Sequence, residues 1–163
     1  MPMRPITEQE AYLRLAALCA RSEHCSYEMT EKMRRWELSE EACERVLRRL
    51  VQERYVDDSR YARAFVRDKV RYSKWGRRKV EQALWQKRVG EEIRRQALDE
   101  VGDEDYLSAL RPLLRQRRKA LKTASEYEAS RRLAQYALSR GYTYDIIRQC
   151  LDVESDELVE PCT

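Results

Sequence analysis

The 163-residue chain has one histidine, His24, and four glycines, Gly76, Gly90, Gly102 and Gly141. With a single imidazole, a Ser-His-Asp or Cys-His arrangement would have to rest on a residue in a predicted turn beside Cys25, where no acid is placed to orient it. Isolated glycines exclude the Gly-rich loops that cradle phosphates, and each fits a turn between helices. Four prolines among so few glycines disfavour a loop-rich β architecture. The five cysteines, Cys19, Cys25, Cys43, Cys150 and Cys162, are odd in number and form no CxxC pair. A disulfide framework and a four-thiolate zinc site are therefore not indicated, and the thiols read as small core hydrophobes in a reducing compartment. No stretch approaches the ~18 consecutive apolar residues of a membrane span, and no leader-like apolar run opens the chain. These absences point to a cytoplasmic protein without metal, cofactor or catalytic machinery.

What the chain has in abundance is charge, at 38% of residues, with 33 basic and 29 acidic side chains and a net charge of +4. Between Pro5 and Pro161 only Pro112 interrupts a pattern of apolar residues at helical spacing, so the expected fold is all-α. Breaks at 24–26, 38–39, 56–58, 73–76, 89–90, 102–103, 123–125 and 141–143 divide it into about nine helices of ordinary length. Ser26, Ser39 and Asp58 each supply a side-chain oxygen ahead of an apolar run and read as helix caps. Pro112 either falls in the first turn of a helix capped by Ser108 or kinks a longer helix begun near Asp105, and the kink is favoured.

The chain also repeats itself. A shift of 53 sets Lys87–Leu98 on Arg140–Leu151, matching Ile93 with Ile146, and a shift of 51 sets Trp36–Leu47 on the same block. Three three-helix units are expected over 1–54, 55–102 and 103–152, with an acidic, disordered tail over 153–163. Such units bury too little surface alone, so they stack into an elongated, curved array.

Charge is sorted along the chain. Residues 60–88 hold 11 basic side chains against Asp68 and Glu81, which leaves the remainder of the chain net acidic. At about 100° per residue Arg60, Arg63, Arg67, Arg71 and Lys74 share one arc of a helix, while Tyr61, Ala62, Phe65, Val66 and Tyr72 cover much of the opposite side. Most charge runs are plain solvated faces that mix signs. Here acids at i+3 or i+4 are nearly absent, so the repulsion is unrelieved and an anionic partner is expected. A second run, Arg111, Arg115, Arg117, Arg118, Lys119 and Lys122, spreads around its helix. Asp57 and Asp58 read as a cap near a helix dipole rather than as acid/base or magnesium chemistry. Most of the ten tyrosines, such as Tyr12, Tyr61 and Tyr136, recur at core spacing. Trp85 points about 145° away from Val80, Ala83 and Leu84, which makes it either a contact to the next unit or part of a partner surface.

Within Tyr55–Val89 the residues resemble the RecX regulatory proteins, bacterial modulators of the RecA recombinase. Tyr55, Val56, Asp57 and Asp58 stand for that family's Tyr-Leu-Asp-Asp turn, Arg60, Tyr61 and Ala62 for its Arg-Phe-Ala element, Phe65 for the aromatic that follows, and Trp75 with Gly76 for its Trp-Gly element. Leu84 and Lys87 open the Leu-x-x-Lys-Gly-Ile ending, Ser26–Met33 is similar to the family's Ser-x-x-Glu-Leu-x-x-Lys-Leu, and Ser139–Ile147 to its Arg-Gly-Phe element. Arg77 stands where a proline is usual, Arg88 where a glycine is usual, and Met29 and Met33 replace leucines. The resemblance implies three tandem three-helix units in a monomer that lies along the groove of the RecA filament on DNA and acts without chemistry of its own. It would impede filament growth and lower the filament's ATPase, recombinase and coprotease activities. The residues expected at that interface are Arg60, Arg63, Arg67, Arg71, Lys74, Arg77, Arg78 and Trp85. The alternative is a direct binder of single- or double-stranded DNA, with a helix-turn-helix-like basic unit over Lys74–Leu98.

Overall fold

The computed structural model of the chain describes residues 4–122 and 124–151; the expected tail over 153–163 and Cys162 lie outside them. The described residues are all-α, with no strand. The helices are α1 (Glu8–Arg21), α2 (Ser26–Arg35), α3 (Glu40–Gln52), α4 (Asp58–Arg71), α5 (Arg77–Gln86), α6 (Glu91–Asp99), α7 (Asp103–Lys119), α8 (Glu126–Ser139) and α9 (Tyr144–Cys150). Packing divides the chain into two compact units, one running to Ala64 and resuming over Leu84–Arg94, the other made of Phe65–Ala83 and the chain from Arg95 onward.

In the first unit α1 and α2 pack on α3. The apolar arcs of these helices meet at Leu15, Met29, Met33 and Leu50, with Tyr12, Cys43, Val46 and Val56 around them. Burying a side chain of that size contributes roughly 1.5–3 kcal/mol. Met29 and Met33 are fully buried, so the methionines standing at leucine positions do the same packing work. Ser39 caps α3 as expected, its hydroxyl accepting from the Ala42 amide at 3.1 Å. The start of α2 corrects the expectation for Ser26, because Cys25 is the N-cap and Ser26 the first helical residue. The Glu28 carboxylate accepts from the Cys25 amide at 3.1 Å, and the Asp58 carboxylate from the Ser26 amide at 2.8 Å. Asp57 caps α4 instead, accepting from the Arg60 amide at 3.0 Å. The two adjacent acids thus serve different helices.

The departure at Arg88 has a definite backbone consequence. Its φ is 55°, in the left-handed region that favours glycine, and the turn bonds Arg88 N to Trp85 O at 2.9 Å and Val89 N to Leu84 O at 3.2 Å close around it. The loop a glycine would make is retained, with the Arg88 guanidinium over the Tyr27 ring at 5.2 Å. Arg88→Gly is expected to stabilise the protein by about 0.5–1 kcal/mol through relief of the Cβ clash, read as a rise in melting temperature; a loss would mean that the Tyr27 contact outweighs the strain.

In the second unit α8 and α9 pack on α7 and on each other, around Leu107, Leu110, Leu133, Tyr142 and Ile147. Val66, Val70 and Val80 are also fully buried. A single α7 runs through Pro112 and starts at Asp103, which excludes the first-turn placement of that proline. Pro112 has no N–H to give the Ser108 carbonyl, a loss the exposed part of a helix tolerates better than the core does.

Gly76 needs no unusual φ and serves instead to let two backbones touch. Its N–H donates to the Arg140 carbonyl at 2.9 Å, and the Arg78 N–H donates to the Gly141 carbonyl at 3.0 Å. A Cβ at position 76 would lie 2.2 Å from Tyr142 N and 2.3 Å from Gly141 C. Gly141 has φ +92° and would put a Cβ 2.4 Å from that of Lys79. The Arg140 guanidinium closes the clasp, donating to Ser73 O at 2.5 Å and Lys74 O at 3.0 Å.

Candidate functional site

The basic face expected on one arc of α4 sorts into residues bound internally and residues open to solvent. Arg60 is bound: its Nε donates to Glu23 at 2.7 Å and its Nη2 to the carbonyls of Arg54 and Tyr55 at 3.1 and 3.3 Å. A guanidinium spent on three acceptors fixes the start of α4. Arg63, in the same unit, is half-buried and has no ion pair among the described residues.

In the second unit Arg67 and Arg71, one turn apart, are exposed and likewise unpaired among the described residues. Lys74 is half-buried with φ 59°, and its Nζ donates to the Arg71 carbonyl at 3.3 Å. Arg77, the first residue of α5, pairs with Asp99 at 2.7 Å; the position is one where a proline also fits, since its amide needs no helical partner. Arg78 is exposed. The Trp75 ring carries two ammonium groups, Lys69 at 5.0 Å and Lys79 at 4.6 Å.

Tyr72 is a correction. It was expected on the buried side with Tyr61 and Val66, which are buried, yet it is 80% exposed. It lies one residue beyond the end of α4, where helical spacing no longer sets direction, and it stands next to Arg71 as an open aromatic that spacing alone missed. In the first unit Trp85 is 63% exposed, whereas Val80 and Leu84 of the same helix are fully buried.

The thiols lie elsewhere. Cys25 is fully buried with its Sγ 3.8 Å from the Lys87 carbonyl, and burial pushes its pKa up to about 11. Burial likewise raises Cys19, Cys43 and Cys150, the reverse of an activated nucleophile. Among the described residues no three His, Cys, Asp or Glu side chains converge as metal ligands, and no helix is long and apolar enough to cross a membrane. The arrangement offers charge and aromatic surface for recognition.

Comparison with known proteins gives this surface a context. Three family models match in tandem: the first three-helix domain of RecX over residues 11–50, the second over 57–98 and the third over 103–151. A protein of Vibrio parahaemolyticus named regulatory protein RecX is 32% identical over 142 residues, covering 86% of this chain and 88% of its own length. A protein of the same name from Lactobacillus gasseri is 27% identical over 135 residues, and there the match spans 49% of the relative's length. The crystal structure of RecX from Lactobacillus salivarius superposes with a TM-score of 0.82 at 20% identity, covering 88% of this chain and 93% of that one. With α1–α3, α4–α6 and α7–α9 corresponding to the three matched domains to within three residues at their ends, the chain belongs to the RecX family of regulatory proteins.

Proposed function

We propose that the protein is a non-enzymatic regulator that binds the RecA–DNA filament along its helical groove and inhibits filament growth and the ATPase, recombinase and coprotease activities. The observation that carries this reading is the set of guanidinium groups on α4, Arg63, Arg67 and Arg71, left without ion pairs among the described residues of a chain rich in acids. Cations without an ion pair among the described residues are poised for an anionic partner, protein acids and DNA phosphates alike. Arg78 and Trp85 extend the contact, whereas Arg60, Lys74 and Arg77 act mainly by shaping the helix ends that present it. The domain limits 1–54, 55–102 and 103–152 follow from the same reading.

A titration of RecA's DNA-dependent ATPase, run beside DNA binding at one salt concentration, tests it. A filament regulator slows the ATPase well below the dose that coats bare DNA; a requirement for saturating coverage would make the protein a plain DNA binder.

Trp85 gives a spectroscopic check. With Trp36 and Trp75 replaced by phenylalanine, the remaining emission is expected to be red-shifted in the free protein and to move to the blue on adding filament, as an interface aromatic becomes desolvated. Trp85→Ala should change stability by less than ~0.5 kcal/mol, as exposed positions do. Blue emission in the free protein, unmoved by filament, would remove Trp85 from the interface.

A further inference from the structure

The α7–α8 pair of the second unit carries a groove of about 860 Å³. Leu113, Arg117 and Leu121, each four residues after the last, set one stripe of α7 along it, and Arg132, Leu133 and Tyr136 of α8 line the other side. The stripe is about 12 Å long, which matches two turns of a second helix laid against it. Leu113 and Leu121 are half-buried and Gln116 and Gln135 beside them are exposed, so the groove is an open trough suited to a row of side chains rather than an enclosed cleft for a small molecule.

Its charge has one sign, since no acidic side chain among the described residues lines it. The Arg117 guanidinium lies 4.0 Å from the Tyr136 ring centroid and has no ion pair among the described residues; stacking steadies the planar group and leaves its N–H donors for a carboxylate. Arg132 pairs with Glu128 at 2.7 Å, but both are more than half exposed, and such a pair contributes too little to hold against a better-placed acid. Arg115, Lys119 and Lys122 continue the positive charge along the same stretch, again with no ion pair among the described residues. A nucleic-acid strand would meet the cations and leave the leucines against sugar and phosphate, whereas a purely apolar peptide would leave the guanidinium groups desolvated and unmatched. An acidic peptide that also carries aliphatic side chains answers both.

We propose that the α7–α8 groove docks an acidic amphipathic helix of a partner protein, with its aliphatic side chains on Leu113 and Leu121 and its carboxylates on Arg117 and Arg132. In this mode of recognition the anchors recur every three or four residues of the bound helix. The groove uses none of the α4 arginines, so neither site depends on the other.

Fluorescence anisotropy of a labelled synthetic peptide of repeated Leu-Glu-Glu-Leu, titrated with the full chain, tests the proposal. Saturable binding is expected that weakens with salt and falls about tenfold or more in a variant carrying Arg117→Gln and Arg132→Gln, through loss of two charge-assisted hydrogen bonds. Arg35→Gln with Arg48→Gln removes the same charge from exposed positions of the first unit and should change the affinity by less than about twofold at physiological salt. The methyl signals of Leu113 and Leu121 should move on adding peptide, while those of the buried Leu107 stay in place, as they should in the two-arginine variants without peptide. Absence of binding overturns the proposal, and so does equal affinity for a Ser-Glu-Glu-Ser peptide, which would reduce the contact to charge. Displacement of the peptide by an equal concentration of oligothymidine would assign the groove to nucleic acid instead. Groove methyl shifts that grow with protein concentration in the absence of peptide would make a second copy of the chain the occupant.

Discussion

Replacing Arg63, Arg67 and Arg71 together by glutamate is expected to raise the dose needed for half-inhibition of the RecA ATPase by tenfold or more, with the helical circular-dichroism signal and the melting curve nearly unchanged. The expected size follows from reversing three charges that no internal carboxylate among the described residues relieves, since charge pairs across an interface set both encounter rate and register. The stability expectation follows from the positions of Arg67 and Arg71, which are exposed and where substitutions typically cost under ~0.5 kcal/mol. Inhibition at the wild-type dose by this variant would make the α4 arginines an ordinary solvated face and end the proposed reading.

Gly76→Ala is expected to have the largest effect on stability, about 3 kcal/mol or more. The added Cβ would sit 2.2 Å from Tyr142 N and 2.3 Å from Gly141 C. Both obstacles are main chain held by two backbone hydrogen bonds and the Arg140 guanidinium, so relief requires breaking the clasp. Overpacking of this kind costs about 1–3 kcal/mol, and loss of the clasp bonds adds to it. Chemical denaturation with unchanged m-value measures the loss. A midpoint shift equivalent to under ~1 kcal/mol would mean that the two turns separate at little expense.

The sequence made the fold legible wherever the physics is local. Helical spacing of apolar residues located the helices of the described residues, and the Ser39 cap needs only Ala42, three residues on. Where partners are distant in the chain, spacing was silent. Ser26 looked like a cap because its neighbours permit it, yet the acceptor that satisfies its amide is Asp58, thirty-two residues away. Arg60 and Arg77 lie on the expected basic segment, and nothing near them in sequence reveals Glu23 or Asp99 as their partners. Tyr72 was assigned by an angle that holds only inside a helix, and α4 ends at Arg71. Gly76 read as a turn residue, whereas its function is the missing Cβ.

The carboxylate of Asp58 on the Ser26 amide also bears on how this chain can be taken apart. Helix α2 lies inside the first matched three-helix domain, which ends at residue 50, but one of its free amides is satisfied from α4, and Lys87, still farther along, lies 3.5 Å from the Glu28 carboxylate that completes the same helix start. A fragment ending at residue 54 would keep all three helices and lose both supports. The first repeat is therefore complete as a unit of sequence, while two contacts at the start of its second helix come from residues beyond it. A fragment that keeps both contacts must extend through Lys87.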